Sequence, residues 1–356
     1  MEIEEATLEK VLEFLHCDTK HEQFYRQRYQ ALQNPKEFAE LYIQWKGRGA
    51  ELYEKKLLFP EIDGAWNPTD MSDDTLSSVR QDDGEQISIL KHYRFTPVFE
   101  HRHTFFEILY VLEGSCHNTI DGRTVELHTG DLCLIAPFTT HSVGVFDESI
   151  LINIIVSRSA FENLFHSLLC HSNVLSDFFA GSLYLYQQNS YLYVSTGKDS
   201  GLNHLILNMV YQQECGLPYR DLMKNSLLFL FFSTLLQDYD DKIRLPQAHK
   251  LESQAVEIVK YIESHYRTIT LNDLADHFGY STSYLSRYIK KATQKSFTSL
   301  VQDIKFEHVC TQLETSSRSV ADIASSAGFE SIEHFTRLFK KRMNQSPSQY
   351  RKAHHD

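Results

Sequence analysis

The sequence predicts an α+β protein of several domains, in which a helical N-terminal extension precedes a central β-barrel or jelly roll and an all-α C-terminal domain. Three observations predict this order. Apolar residues recur at helical spacing near the N-terminus, short β-rich runs separated by turn residues occupy the middle, and a helical unit repeats near the C-terminus. The chain of 356 residues is long enough for such a set of domains. We predict domains at residues 1–85, 86–245 and 246–356.

The N-terminal extension is predicted to be helical over residues 1–58. Apolar residues between Leu8 and Leu15 recur at the spacing of one helix face. Asp, Ser, Thr, Pro and Gly then dominate residues 63–84, which predicts a linker. The sequence of this extension assigns it no function.

The central segment predicts a set of short antiparallel strands. Asp121-Gly122 lies between two β-rich runs and fits a two-residue hairpin, because both central positions of that turn need φ > 0. Many short strands at even spacing indicate a barrel or a double-sheet jelly roll. The β-rich runs are 87–90, 106–112, 125–127, 132–135 and 150–156.

Residues 159–240 return to helical patterns. A strand pair is predicted at 183–186 and 191–195, followed by an amphipathic helix at 203–211. Residues 222–236 are apolar around nearly the whole helix, which is typical of a helix buried between domains or against a second subunit. A polar linker is expected at 238–246.

Two similar helical units lie in residues 252–353. In each unit a helix with the pattern apolar-x-Asp-apolar-Ala leads to a Gly-aromatic pair and then to a serine-led helix, and Gly279 and Gly328 mark equivalent points. This is the layout of a helix-turn-helix, whose second helix enters the major groove of DNA. One such match is common by chance. A tandem pair joined by one helix at 297–313 favours DNA binding over two ordinary helical hairpins.

The outer faces of the two serine-led helices predict the DNA contacts. Arginine near a helix start can contact guanine through two hydrogen bonds, and lysine near a helix end suits phosphate. The predicted DNA-binding residues are Ser281, Ser283, Ser286, Arg287, Lys290 and Lys291 in the first unit and Ser331, Glu333, His334, Arg337, Lys340 and Lys341 in the second.

Charge is distributed unevenly along the chain, whose net charge is −12 at pH 7. Residues 250–356 carry 15 Lys and Arg against 12 Asp and Glu, whereas residues 1–249 carry 20 against 35. A more basic segment attached to an acidic body indicates double-stranded DNA as the partner of the C-terminal domain.

The last hundred residues resemble the AraC/XylS family of bacterial transcription regulators. The resemblance is carried by the motifs at 329–331, 335–341 and 346–351 in the second unit and at 284–287 in the first. It implies two recognition helices, joined by a rigid helix, that read successive major-groove segments on one face of the DNA.

The chain departs from the pattern of that family at three positions. Gln294 and Asn344 stand where glycines usually end the recognition helices, and Lys305 replaces a usual arginine of the linking helix. Asn tolerates the left-handed conformation, whereas Gln294 is expected to loosen the end of the first recognition helix.

The central domain resembles a cupin barrel. The residues from His101 to Glu107, followed by Gly114, match the first cupin motif, and a second motif ends at His141. Positions 101, 103 and 107 share parity, so an extended strand places His101, His103 and Glu107 on one face. With His141 they form a set of three nitrogens and one carboxylate that suits a divalent Fe, Mn, Ni or Zn ion, which in cupins is the metal site. The alternative is that the histidines bond a ligand or the backbone, and no cofactor is then required.

A barrel of this kind encloses a cavity, so we predict a small-molecule effector, and the family resemblance makes a sugar the first choice. Tyr93 and Phe95 are expected to close the mouth of the cavity. The predicted ligand-binding residues are Tyr93, Phe95, His101, His103, Glu107 and His141.

The cysteines and the apolar runs predict the compartment. Six cysteines lie far apart without a C-x-x-C pair, which is typical of reduced thiols in the cytoplasm. The longest apolar run covers residues 227–236, whereas a membrane span needs about 20 residues. The acidic start lacks a basic region, so we predict neither membrane contact nor a secretory signal.

Together these observations predict a ligand-responsive transcription regulator, an activator rather than an enzyme. Its expected partners are DNA, the effector, RNA polymerase and a second copy of the chain, paired through the helix at 222–236 or the helix before it. Two alternatives stay open. One is a metal-dependent cupin enzyme with a C-terminal targeting module, and the other is a ligand-independent regulator whose barrel only dimerises.

Overall fold

The computed structural model describes residues 5–72, 86–158, 160–161, 173–185, 191–198, 201–245 and 253–354. Two compact units are present, one made of residues 1–160 and 188–248 and the other of residues 161–187 and 249–356. Most of the predicted linker at 63–84 lies outside the described residues, as do residues 85 and 246 at the predicted domain boundaries, and Cys170.

The first unit begins with four helices, which confirms the prediction for the N-terminal extension. Thr19 and Glu22 form a reciprocal capping box at the second helix, and Asn34 caps the third, in which Pro35 is the first residue. These helices close over a core that includes Tyr25 and Phe59. Their bounds are α1 (Glu5–His16), α2 (Lys20–Ala31), α3 (Pro35–Trp45) and α4 (Gly49–Glu54).

The strands of the first unit confirm the predicted β-rich runs. They are β1 (Asp70–Met71), β2 (Ile87–Lys91), β3 (Arg102–His103), β4 (Phe106–Glu113), β5 (Ser115–Ile120), β6 (Arg123–His128), β7 (Asp131–Ile135), β8 (His141–Gly144), β9 (Ile150–Val156), β10 (Tyr191–Ser195) and β11 (Ile243–Arg244). Asp121 and Gly122 have φ values of 52° and 70°, as the hairpin prediction required.

Two sheets form the barrel within the described residues. One has the strand order β11-β10-β7-β4-β9-β2, and the other has the order β6-β5-β8. Leu109 and Val111 of β4 share an apolar cluster with Cys116 and Ile120 of β5, so the core of the barrel lies between the two sheets. This arrangement confirms the double-sheet prediction.

Two helices follow β10 in the first unit, α6 (Leu202–Glu214) and α7 (Arg220–Tyr239). Leu228 and Phe231 of α7 are buried, whereas Phe229 and Leu230 are exposed. The helix therefore keeps one exposed apolar face. The predicted linker at 238–246 is partly wrong, because α7 extends into it and β11 pairs with β10.

The predicted strand at 183–186 is wrong. Residues Val174–Tyr184 form a helix, α5, which starts at a capping box between Asn173 and Ser176. The strand at 191–195 is correct, but it pairs with β7 instead of with a neighbouring hairpin strand. Alternating tyrosines imitate strand periodicity, while the apolar residues of α5 are buried around most of the helix.

The second unit consists of α5 and the C-terminal helices. The Nζ of Lys260 lies 2.9 Å from an Asp177 carboxylate oxygen, and the Tyr184 hydroxyl donates to Glu263 at 3.0 Å. These contacts group residues 161–187 with the C-terminal residues, although the predicted boundaries place them in the central domain. The helices are α8 (Ser253–His265), α9 (Leu271–Phe278), α10 (Thr282–Thr293), α11 (Phe297–Thr315), α12 (Val320–Ser326), α13 (Ile332–Met343) and α14 (Pro347–His354).

None of the helices in the described part of the chain has both the length and the apolar character that crossing a membrane requires.

Candidate nucleic-acid interface and ligand pocket

The first repeated unit folds as the sequence pattern predicts. Helix α9 ends at Gly279, whose φ of 70° lies in the left-handed region that glycine tolerates. The Ser281 hydroxyl then accepts the Tyr284 N–H at 3.2 Å and so caps α10. The turn and the cap together fix the direction of α10.

The second unit repeats this geometry with tighter packing at its turn. Gly328 has a φ of 80°, and a Cβ placed there would lie 2.2 Å from the carbonyl oxygen of Arg267. Only glycine fits this position, because the clash is with backbone. The Ser331 hydroxyl accepts the His334 N–H at 3.2 Å and caps α13.

The two recognition helices, α10 and α13, have the inner and outer faces that the sequence predicts. Leu285 and Ile289 of α10 and Phe335 and Phe339 of α13 are buried. The outer face of each helix is polar and open to solvent. Ser281, Ser283, Arg287, Lys290, Lys291, Glu333, His334, Arg337, Lys340 and Lys341 are exposed, and Ser286 and Ser331 are partly exposed.

The ends of both recognition helices are tied to one carboxylate of the linking helix α11. Asp303 pairs with Lys295, just after α10, and with Arg342, in the last turn of α13. The departure at Lys305 also has a structural role, because its ammonium donates to the Gly328 carbonyl at 2.9 Å. These bonds fix the spacing of the two helices.

We expect Asp303→Asn to weaken binding of a complete operator on the order of tenfold. Without its charge the side chain holds Lys295 and Arg342 less firmly. Once one recognition helix is bound, the effective concentration of the other at its own DNA segment is therefore lower. Fluorescence anisotropy on the complete operator, and on one with a single contacted segment scrambled, measures this. Asp276→Asn, on the exposed side of α9, is the control. Equal losses on both DNAs would show that Asp303 does not set the spacing.

The two departures at the helix ends leave the fold unchanged. Gln294 and Asn344 adopt φ values of 60° and 55°, the left-handed conformation that glycine usually supplies. Both recognition helices therefore end as the family pattern requires.

The first unit contains a cavity of about 860 Å³, near the upper end of the range for small-molecule sites. Barrel residues on one side include Glu107 and Asn153, and residues of the N-terminal extension on the other side include Tyr25 and Trp66. Tyr93 lies between them and stacks on His21 of the extension with ring centroids 4.9 Å apart.

A carboxylate surrounded by histidines lies at the barrel side of the cavity. One oxygen of Glu107 lies 3.1 Å from Nε2 of His103 and 3.0 Å from Nε2 of His141. The other oxygen accepts from the Asn153 amide at 2.8 Å. His101 reaches the cluster because its backbone pairs with that of His141 through two hydrogen bonds.

Backbone carbonyls orient the three imidazoles. The Nδ1 atoms of His101, His103 and His141 lie 3.3, 2.8 and 3.0 Å from carbonyl oxygens two residues away. A carbonyl can only accept, so Nδ1 carries the proton. In a neutral ring Nε2 is then the lone-pair atom.

Burial controls the ionisation of the cavity wall. It lowers the pKa of His101 to about 3 and that of His92 to about 4, so both rings are neutral at pH 7. Burial alone raises the pKa of Glu107, but the hydrogen bonds from His103 and His141 outweigh it and hold that pKa well below its usual range.

The structure separates the predicted ligand-binding residues into three groups. Tyr93, His101 and Glu107 line the cavity, whereas His103 and His141 are buried and hydrogen-bonded to Glu107. The prediction for Phe95 is wrong. Its ring packs beneath the Arg26 guanidinium at 4.4 Å and against Tyr29, because the N-terminal helices cover it.

Two family models match the chain, a helix-turn-helix domain over residues 274–353 and an AraC-like ligand binding domain over residues 89–154. The Msm operon regulatory protein of Streptococcus mutans is 24% identical over 306 residues, which cover 80% of this chain and 94% of that protein. The chain is thus similar to AraC-family transcriptional regulators in both its ligand-binding and its DNA-binding part. These matches identify it as a ligand-responsive, DNA-binding transcription regulator.

Two further proteins are similar to parts of the chain. The transcriptional activator PerA of Escherichia coli is 25% identical over 152 residues, covering 42% of this chain and 55% of PerA. ToxT of Vibrio cholerae, a solved structure, is 17% identical and covers 75% of this chain and 97% of its own, with a TM-score of 0.31.

Sequence reasoning missed several residues at the cavity of this regulator. Asn153 had a visible signal, because it is a polar residue inside the apolar run Ile150–Val156. His21, Tyr25 and Trp66 had none, since they come from a segment with no periodic link to the barrel. Their position depends on tertiary packing alone.

Proposed function

We propose that an uncharged, polyhydroxylated molecule, with sugars as the first candidates, controls DNA binding from the 860 Å³ cavity. The observation that carries this proposal is a pair of unpartnered polar atoms. Asn153 and His92 line the cavity, and Asn153 Oδ1 and His92 Nε2 are buried without a hydrogen-bond partner among the described residues. Buried polar atoms normally find partners.

The polarity of these atoms selects the ligand. The Asn153 amide nitrogen is committed to Glu107, so its oxygen is left to accept a hydrogen bond. A ligand hydroxyl supplies the missing donor. The aromatic rings of Trp66 and Phe99 offer flat apolar surfaces beside these polar atoms, the combination that a sugar ring needs.

Calorimetry with a panel of mono-, di- and trisaccharides tests this proposal. We expect at least one sugar to bind, and Asn153→Leu to weaken its binding because a hydroxyl then faces an apolar group. Asn208→Leu, on α6, is the matched control. A sugar that binds both variants and the parent protein equally would contradict the assignment of Asn153. Binding of no sugar would favour the ligand-independent regulator.

We further propose that the regulator works in the cytoplasm as a homodimer that activates transcription with RNA polymerase. The activator role is supported by the likeness to PerA, and the relatives support a role without catalysis. The dimer is supported by the exposed face of α7. Leu222 and Phe229, and likewise Met223 and Leu230, are seven residues apart, so they form one apolar stripe open to solvent.

Leu230→Glu is expected to weaken dimerisation by about 2–3 kcal/mol, because a charge replaces a leucine that the second copy would bury. Leu230 is half exposed in one copy of the chain, so the fold itself should tolerate the change. Sedimentation equilibrium measures the association constant. Ile43→Glu, at a still more exposed apolar residue on α3, serves as control. Identical association constants for all three proteins would exclude this face from the dimer.

A second proposal concerns a divalent metal beside the cavity. The ligand atoms of His101, Glu107 and His141 lie within 4.8 Å of one another. Nδ1 of each ring faces a carbonyl oxygen, so Nε2 of His103 or His141 can donate to Glu107 only in a doubly protonated ring. In a singly protonated ring that nitrogen carries a lone pair, and a divalent cation can take the place of the second proton, so the donor set fits a metal, with His103 as a supporting residue. When bound, the metal would supply a Lewis-acidic contact to an oxygen of the effector.

Glu107→Gln is expected to abolish stoichiometric metal, because the neutral amide is a poor ligand for a divalent ion and leaves only two imidazoles. Metal content of the purified protein, measured by mass spectrometry, is the readout. His128→Gln, at an exposed histidine of β6, is expected to keep the metal. Metal below stoichiometry in the parent protein after reconstitution would contradict the site, and turnover of a substrate would favour the enzyme alternative.

A further inference from the structure

We propose that Arg318 binds a phosphate of the DNA backbone beside the second recognition helix, and that Arg351 supports it with a second positive charge. Neither arginine is among the predicted DNA contacts, which lie at the N-caps and on the outer faces of α10 and α13. The inference rests on the assignment of α13 as a recognition helix. It concerns the backbone of the DNA and not its bases.

The first observation is the position of Arg318, directly before α12, the first helix of the second helix-turn-helix. Ser319 is the N-cap of α12, and its hydroxyl oxygen accepts the Asp322 N–H at 3.1 Å. In a helix-turn-helix the first helix crosses the DNA backbone while the second lies in the major groove. The start of α12 is therefore a place where a phosphate contact is expected.

The second observation is that Arg351 of α14 is held at the same point. Its Nη2 donates to the carbonyl oxygen of Arg318 at 2.6 Å. The side chain of Arg318 is itself oriented, because its guanidinium donates to the side-chain oxygen of Gln312 at 3.0 Å and to the carbonyl oxygen of Asp322 at 3.4 Å. Two arginines thus lie together at the start of α12, with Arg318 exposed and Arg351 partly exposed.

The third observation is that these two cations have no acidic partner. Two carboxylates lie four residues from Arg318 in the sequence, and both bond elsewhere. Glu314 accepts a tyrosine hydroxyl of α14 at 2.5 Å, and the Asp322 carboxylate accepts the hydroxyl of the α12 cap at 2.6 Å. Within the described residues neither Arg318 nor Arg351 forms an ion pair. Their charge is therefore available to an external anion.

The hydrogen bonding of Arg351 argues against a purely structural role. Its Nε is buried and has no hydrogen-bond partner among the residues that the structure describes. A buried donor without an acceptor costs stability, and an apolar or neutral polar side chain would avoid that cost. The positive charge of Arg351 is what such a replacement would lose. An anion bound at Arg318 gives that charge a use, because two neighbouring cations attract a phosphate more strongly than one.

The first helix-turn-helix has no equivalent of this pair. The offset of 49 positions between the glycines of the two turns places Ile269 opposite Arg318 and Gln302 opposite Arg351. Predicted base contacts from an arginine, in contrast, are present in both units. The proposed phosphate contact therefore belongs to the second unit alone.

The salt dependence of DNA binding tests the proposal on an operator selected from random DNA with the parent protein. Loss of one phosphate contact lowers the slope of log K against log salt by about 0.9. We expect this change for Arg318→Gln, with about fivefold weaker binding at physiological salt on the operator and on scrambled DNA alike. Arg318→Lys keeps the charge and should keep most of the slope. Arg123→Gln, at the exposed hairpin of the first unit, controls for net charge and should leave the slope unchanged.

Neutral methylphosphonates, placed one at a time in the operator, locate the phosphate. Replacing the contacted phosphate should weaken binding of the parent protein and leave binding of Arg318→Gln unchanged, because that variant has already lost the contact. Arg351→Gln should show a smaller loss at the same phosphate. Circular dichroism confirms that each variant is folded. If Arg351→Gln does not fold, Arg318→Gln alone decides.

An unchanged salt slope for Arg318→Gln would overturn the inference. Methylphosphonate losses that are identical in the parent and in Arg318→Gln at every position would overturn it as well. Arg337→Ala separates this failure from a wrong assignment of α13. If Arg337→Ala weakens specific binding while Arg318→Gln keeps the parent slope, α13 is a recognition helix and the phosphate contact alone is wrong. If Arg337→Ala leaves specific binding untouched, both assignments fail.

Discussion

Replacing Arg287 and Arg337 together by alanine is expected to weaken binding to a specific operator by about 2–6 kcal/mol, from about 1–3 kcal/mol for each arginine that contacts guanine through two hydrogen bonds. Both side chains are exposed on the outer faces of α10 and α13, near capped helix starts. The loss should be confined to specific sequences, because base contacts carry specificity whereas phosphate contacts do not.

The operator is first selected from random DNA with the parent protein. Anisotropy at fixed salt then compares the parent, each single variant and the double variant on the selected operator and on scrambled DNA. Lys340→Ala is the matched control. It should weaken binding to both DNAs alike and flatten the salt dependence, because Lys340 lies where a phosphate contact is expected. If Arg337→Ala left specific binding untouched, the assignment of α13 as a recognition helix would be wrong.

Arg94→Met should have the largest effect on stability, about 3–5 kcal/mol in the free energy of unfolding of the first unit, because it removes the partner of a buried charge. Glu22 is 0% exposed and would keep only Lys91 as a cationic partner within the described residues. Urea unfolding followed by tryptophan fluorescence measures the loss. Arg123→Met, at an exposed arginine, should change stability by less than about 0.5 kcal/mol. Equal unfolding midpoints would mean that the ion pairs of Arg94 with Asp18, Glu22 and Glu148 do not stabilise the unit.

The carboxylates that pair with Arg94 also predict a response to acid. Burial alone raises the pKa of Glu22, but hydrogen bonds from the Thr19 N–H and the Lys91 ammonium outweigh it and lower that pKa below the usual 4.5. Hydrogen bonds from Arg26 lower the pKa of Asp18 and of Glu148. A lowered folded-state pKa contributes stability that is complete above the unfolded value and is lost as the pH falls through the folded value. Stability should therefore fall below about pH 4.5, and less steeply in Arg94→Met.

The nucleic-acid interface could be predicted because its signals are local. One stretch of sequence shows a serine three residues before the N–H that it caps. The same stretch shows a glycine at a turn that needs positive φ. Leu285 and Ile289 lie four residues apart, which is enough to assign the inner face of α10. The role of Asp303 was not visible, because Lys295 and Arg342 meet it only in the folded unit.

The ligand site could be predicted in part. The alternation of side chains along an extended strand placed His101, His103 and Glu107 on one face. In the structure the strand is interrupted between β3 and β4. The backbone pairing of His101 with His141 completes the cluster. The residues that the N-terminal extension contributes to the cavity could not be predicted. Trp66 and Asn153 line the same cavity although 87 positions separate them in the sequence. No periodicity connects such residues.

The predicted strand at 183–186 failed for a related reason. Tyr184 and Tyr191 alternate in the manner of a hairpin, yet Tyr184 ends a helix and hydrogen-bonds to Glu263 of the second unit. The tyrosine spacing favours a strand, but burial of the apolar side chains stabilises a helix more strongly. That burial is visible only in the tertiary structure.

The most direct test of a ligand-controlled DNA-binding regulator is the affinity of the full chain for its selected operator, measured by anisotropy at fixed salt with and without each sugar of the panel. The account predicts tight, sequence-specific binding that at least one sugar changes, and an Asn153→Leu variant that binds the operator normally but no longer responds to that sugar. Specific binding that no sugar changes would contradict control by a sugar. Absence of sequence-specific binding would contradict the assignment of α10 and α13 as recognition helices.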